Sequence, residues 1–240
     1  MNNIAIIGVG NIGGKIAAAN EPNFKIIKID AADSLAQVEN SQIIIIAVKP
    51  QDFPELSSQL RNHIKDQTII SVMAGIKLEK ISRSLNSKNV VRTMPNLAIA
   101  RKNSLTAAIS SNAKSKKTTE KVINNWGKTI WLDEEQKFDI FTALAGSGPA
   151  YFYKLAAKLE KIALGAGFSK NQAKTIASQT LIGSASVLDN ENTANELLKK
   201  VCSRGGVTEE AIKILDKNGF DQSIDKAVTA ARQKSESLSK

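Results

Sequence analysis

Residues 3–14 read NIAIIGVGNIGG, an apolar run of β type that breaks into glycines and resumes as a helix of small residues. Few sequence features restrict a fold so closely. A buried strand, G-x-G-x-x-G and a helix in immediate succession need a tight turn at Gly8, close backbone approach of a pyrophosphate at Gly10, and tight helix–strand packing at Gly13. Gly8, Gly10, Asn11, Ile12 and Gly13 are therefore candidate dinucleotide-binding residues. The fingerprint alone fits many proteins, and its place at the end of a first strand is what gives it weight.

The rest of the N-terminal half continues the alternation. QIIIIAVKP, QTIISVMAG and NVVRTMPN are further apolar runs closed by Gly, Pro or Asn, with helical stretches such as PELSSQLRNHI and KLEKISRSL between them. That order predicts an α/β fold, a doubly wound parallel sheet whose ligands sit at the carboxyl ends of its strands. Between Gly13 and IIIIAV stand 29 residues, where helix, strand, helix and strand together need roughly fifty. The sheet is thus shortened between its first and later strands. Two readings of FKIIKID stay open. It is either the second strand, which places Asp30 where an acid meets the ribose 2′-hydroxyl of NAD, or a later strand, with the second one lost. Neither reading shows the Arg or Ser/Thr-rich loop that suits a 2′-phosphate.

After WLDEEQ the pattern becomes helical throughout, which predicts a sheet domain over 1–135 and a helical domain over 136–240. Phe152, Leu155, Leu159 and Ile162 recur at helical spacing. Ser169 with Gln172, and Thr193 with Glu196, read as capping boxes. The helix expected over Asn171 to Leu188 carries Ala173, Ala177, Gly183, Ser184 and Ala185, small enough for close packing within or between subunits.

Composition narrows the function classes. The net charge of +10 comes from dispersed lysines, and the densest group, Lys114, Lys116, Lys117 and Lys121, reads as the solvated face of one helix. With 5% aromatics not interleaved with the basic residues, no stacking platform for nucleic acid is evident. One cysteine, Cys202, and one histidine, His63, leave no zinc cluster and no internal disulfide, and His63 is expected at the surface. No apolar run is long enough to cross a membrane, and the N-terminus enters a strand without a signal-peptide pattern, so a cytoplasmic protein is expected.

The stretch VCSRGGVTEEA, residues 201–211, admits two readings. Thr208 could cap a helix whose buried stripe is Ala211, Ile212, Ile214 and Leu215. Alternatively, the amides of Gly205, Gly206 and Val207 could form a small anion site at a glycine-rich helix start.

Taken together, GVGNIGG, AVKPQ, VMAGI, VRTMPN, TALAGSGPAYFY and SRGGVT occur in an order that resembles the pyrroline-5-carboxylate reductase family over almost the whole chain. The resemblance implies an N-terminal Rossmann-like domain and an all-helical C-terminal dimerisation domain that interlocks with a partner subunit, sometimes in a ring of dimers. It implies reduction of a cyclic imine carboxylate to proline with NADH or NADPH. The family's usual SPGGxT stretch binds the substrate carboxylate, and the matching positions are Ser203, Gly205, Gly206, Val207 and Thr208, with Ser203 and Thr208 as catalytic candidates. Arg204 replaces the usual proline. Ala47, Val48, Lys49 and Pro50, and likewise Met94, Pro95 and Asn96, match positions at the cofactor cleft. Two other readings stand beside this one: a reductase of a related cyclic imine or amino acid, because of Arg204, and a non-catalytic dimeric binding protein, because of the shortened sheet.

Overall fold

A computed structural model describes residues 3–188 and 192–238. The chain divides into two compact units. One comprises the residues up to Ser147 together with those from Thr229 onward, and the other Gly148–Val228.

The first unit is built on a seven-stranded sheet. Its strands are β1 (Asn3–Ile7), β2 (Lys25–Ile29), β3 (Ile43–Ile46), β4 (Thr68–Ser71), β5 (Val90–Met94), β6 (Ser104–Ser110) and β7 (Gly127–Trp131), in the order β2-β1-β3-β4-β5-β6-β7. The helices are α1 (Asn11–Asn20), α2 (Phe53–Leu60), α3 (Leu78–Leu85), α4 (Ala113–Ile123) and α5 (Lys137–Phe141). Alternation within the apolar runs sorts side chains onto two faces. Ile4, Ile6, Ile43 and Ile45 pack with Ile16 of α1 and Val122 of α4, while Ala5, Ile7, Ile44 and Ile46 pack with Phe53 and Leu60 of α2 and Ile81 of α3. Both faces are covered, so IIII and AII need no polar alternation.

The strand FKIIKID is the second one: Ile7 pairs with Ile29 on one side and with Ile46 on the other, all parallel. Compared with the full doubly wound order 3-2-1-4-5-6, the outermost strand and the helix before it are missing, and β2 forms the edge. The sheet is also not wholly parallel. β6 runs antiparallel to β5, and β7 follows parallel to β6. Neither strand stands out in the sequence, because SLTAAIS is rich in small residues and GKTIW lies on the other edge, where alternate side chains are exposed.

The helical region expected from 136 begins on time with α5, but the first unit extends further. Phe138 is fully buried against Met94 and Ala107, and Ser235 Oγ donates to Asp139 Oδ1 at 2.6 Å. By compactness, the residues to Ser147 and the chain's last helical turns group with the sheet. Arg92 of β5, almost wholly buried, pairs with Glu135 at 2.7 Å and lies over the Phe138 ring.

The second unit holds α6 (Gly148–Gly165), α7 (Lys170–Ser186), α8 (Ala194–Val201) and α9 (Val207–Lys217), and α10 (Phe220–Leu238) starts within it. Both capping boxes form, at Ser169 with Gln172 and at Thr193 with Glu196. α6 and α7 pack on each other over Ala163, Ala173 and Ala177. The larger apolar residues stay bare: Phe152 is 57% exposed, Ile162 55% and Ile182 58%. On α9 the expected buried stripe is likewise open, with Ile214 56% exposed. Such a surface is far more apolar than a free helical layer in water tolerates.

Candidate active site

The ends of β1, β2 and β3 meet in register. Gly8 N donates to Ile29 O at 2.9 Å and Ala47 N to Ile7 O at 2.9 Å, so three carboxyl ends lie side by side where the strand order reverses. This is the position at which open α/β sheets take ligands.

Each glycine of the loop has a distinct reason. Gly8 has φ +89°, a left-handed conformation that glycine adopts without strain, and an added Cβ would lie 2.9 Å from Ala47 O. At Gly13 an added Cβ would fall on the Gly8 carbonyl, so α1 can approach β1 closely only with glycine there. Gly10 differs from both. Its φ is −71° and an added Cβ would meet nothing within 4 Å. Glycine there leaves open space directly before the N-terminus of α1, room for a pyrophosphate on the helix amides.

Gly8, Gly10, Ala47, Val48 and Lys49 line one cavity of about 500 Å³. Pro50 begins the short turn that follows, Pro50–Asp52. Asn11 lines a second cavity, of about 400 Å³, which Gly10 shares. Ile12 packs against the core beneath. Met94, Pro95 and Asn96 are buried. Asn96 is committed within the fold: its Nδ2 donates to Ala145 O at 3.0 Å, its Oδ1 accepts from Ala98 N at 3.0 Å, and its amide donates to Ser104 Oγ at 3.0 Å. It ties the end of β5 to the segment Thr142–Gly146, a single π-type turn ahead of GSGPAY. Sequence reasoning did not single out Asp33, Asp52 and Glu55, which share the cavity with Asp30. Their signal was available, as acids in the segments that follow β2 and β3.

In the second unit, SRGGVT forms a turn and a helix start. Gly206 N donates to Ser203 O at 2.9 Å, and Gly205, third in that turn, has φ +69°. The helix cap is Gly206, so Thr208 lies inside the first turn of α9 and does not cap it. The two glycines shift the start upstream because Gly206 adopts the extended cap conformation (φ −85°, ψ 166°) and an added Cβ there would strike Ser203 Oγ. Gly205 N donates to Glu209 Oε2 at 2.6 Å, an anion on this loop supplied by the chain itself. The amides of Val207 and Thr208 and the Thr208 hydroxyl have no partner among the described residues. Further along α9, the hydrogen bond that Lys213 Nζ donates to Glu210 Oε1 raises the pKa of the Lys213 ammonium above its usual value.

Arg204 occupies the second position of the turn, where proline is pre-set for turns whose third residue has positive φ. Arg204→Pro is expected to raise stability by about 0.4–1 kcal/mol through the unfolded chain, seen as a melting temperature higher by roughly 1–4 °C. A lower one would show that the arginine backbone needs a φ proline cannot reach.

A glycine cradle at the switch point of an open sheet, with an acid at the end of β2, defines a nicotinamide-dinucleotide oxidoreductase fold. The comparisons refine this. The family described as pyrroline-5-carboxylate reductase dimerisation matches residues 135–238, and that described as NADP oxidoreductase, coenzyme F420-dependent, matches residues 17–75. A pyrroline-5-carboxylate reductase of Aquifex aeolicus is 36% identical over 214 residues, 87% of this chain and 79% of that protein. The structure of a Coxiella burnetii pyrroline-5-carboxylate reductase aligns with TM-score 0.87 at 26% identity, covering 100% of this chain and 99% of that one. A Plasmodium falciparum pyrroline carboxylate reductase solved with NADP bound shares the fold at TM-score 0.91 and 24% identity, over 100% and 98% of the two chains. The chain belongs to the pyrroline-5-carboxylate reductase family.

Proposed function

We propose that this protein reduces 1-pyrroline-5-carboxylate to L-proline with a reduced nicotinamide dinucleotide, the closing step of proline biosynthesis, in the cytoplasm and as a homodimer. The observation that carries the reading is the open face of Gly10 at the carboxyl end of β1, which keeps room for a dinucleotide in a chain of this family. Among the described residues no helix is long and apolar enough to cross a membrane. The bare apolar surfaces of α6, α7 and α9 fall within the dimerisation match and are what a second copy would cover.

When bound, the reduced nicotinamide would supply the hydride that adds to the C=N carbon, leaving a C–N single bond once the nitrogen holds its proton. Gly8, Gly10, Asn11, Ile12 and Gly13 would hold the dinucleotide, with Ala47, Val48, Lys49 and Pro50 along the cleft and Met94, Pro95 and Asn96 supporting its wall. Ser203, Gly205, Gly206, Val207 and Thr208 would hold the imine. The Val207 and Thr208 amides suit its carboxylate, and the Thr208 hydroxyl suits the ring nitrogen. The nitrogen carries its proton on binding, or receives it from the hydroxyl or from water. The catalytic contribution of the chain is then placement and electrostatics.

Oxidation of NADH and of NADPH, each followed with and without the imine, tests this. Turnover that requires the imine supports it, and none with either cofactor at millimolar imine overturns it. Arg204 favours one further reading, a related cyclic imine as substrate, since its cation stands in the substrate turn. Faster turnover of such an analogue than of pyrroline-5-carboxylate would establish that instead.

A further inference from the structure

We infer that the cleft selects NADH over NADPH through Asp30 and the carboxylates gathered around it. This rests on the proposed reductase reading in one respect, that a nicotinamide dinucleotide binds at the glycine loop.

Asp30 follows β2 directly. Its Oδ1 accepts from Val9 N at 3.1 Å, which fixes the carboxylate against the glycine loop, and its Oδ2 has no partner among the described residues. The Asp30 amide donates to Asp33 Oδ2 at 2.8 Å, drawing a second carboxylate to the same corner. Asp52 and Glu55 line the same cavity from beyond β3, and Lys49 is the one cation among its lining residues. Four carboxylates against one ammonium is a local sign opposite to that of the chain, whose net charge is +10. The acidity therefore belongs to this cleft and is not a background of the sequence.

A ribose with a free 2′-hydroxyl can donate to Asp30 Oδ2. A 2′-phosphate has no such proton to offer and sets a charge of roughly −1.5 to −2 beside Asp30 and Asp33. The elements that could bring a balancing cation are the ones this sheet lacks. After Asp33 the chain turns at once into Leu35–Asn40 and then β3, with no outer strand or loop. Ser34, the nearest hydroxyl, caps that turn by accepting from Ala36 N. The cations near the glycine loop, Lys15 and Lys102, line the other cavity, and Lys15 is held by Asn11.

Calorimetric titration of the full chain with NADH and with NADPH, no imine present, reads the preference directly. NADH is expected to bind tighter by at least about tenfold, and the paired substitution Asp30→Ser with Asp33→Arg is expected to bring the two affinities close together or reverse them. Equal or tighter binding of NADPH by the unaltered chain overturns this inference alone. An unchanged ratio in the substituted chain overturns the assignment to these two residues. Failure of both dinucleotides to bind overturns the cofactor site itself, and this inference with it.

Discussion

Gly10→Val yields a folded protein that has lost its dinucleotide. The backbone at Gly10 is one that any residue adopts, and an added Cβ meets no atom of the chain within 4 Å, so the substitution leaves β1 and α1 as they are. The space it fills is the space a pyrophosphate needs to reach the amides at the start of α1. Affinity for NADH in a titration is expected to fall by at least about a hundredfold, equivalent to ~2.7 kcal/mol, with the melting temperature of the apo protein little changed. Gly13→Ala is the contrasting case. Its Cβ falls on the Gly8 carbonyl, so it is expected to lower stability before any question of binding arises. Normal NADH affinity in Gly10→Val would place the cofactor elsewhere.

Thr208→Val is expected to cost activity and not stability. The cap of α9 is Gly206, and the Thr208 hydroxyl has no partner among the described residues, so an isosteric change removes no bond from the fold. If that hydroxyl meets the imine nitrogen, its loss should lower kcat/KM by about a hundredfold, while Thr208→Ser retains most of the activity and NADH affinity is unchanged in both. A valine variant with ordinary kinetics would mean that SRGGVT shapes a helix start and holds no ligand.

The glycine loop, the five strands around it and both capping boxes could be read from the sequence because each depends on neighbours in the chain. Gly8, Gly10 and Gly13 act within a single turn, and Ser169 and Thr193 bond three residues ahead. What could not be read depends on distant partners. β6 is a strand because Val91 to Met94 pair with it on one side and β7 on the other, and the role of Asn96 appears only once Ala145 lies beside it. FKIIKID is ambiguous in the sequence for the same reason, since local pattern does not say which strand it adjoins. Of the two readings of residues 201–211, the one that makes Thr208 a cap fails: threonine suits that position, but here Gly206 adopts the cap conformation two residues earlier. The apolar stripe on α9 is legible as a stripe, but in the single chain Ile214 and Leu215 stay exposed.

The shortened sheet carries a cost of another kind. With the outer strand gone, β2 presents an unpaired ladder of backbone donors and acceptors to the solvent, the kind of edge on which two molecules can join into a continuous sheet. Two isoleucines, Ile26 and Ile27, lie at the centre of that edge, but Lys25 and Lys28 flank them as exposed cations, Lys28 anchored to Glu21 at 2.9 Å. Like charges brought face to face oppose the joining, so the lysines of this strand guard the molecule against aggregation where its fold was cut short.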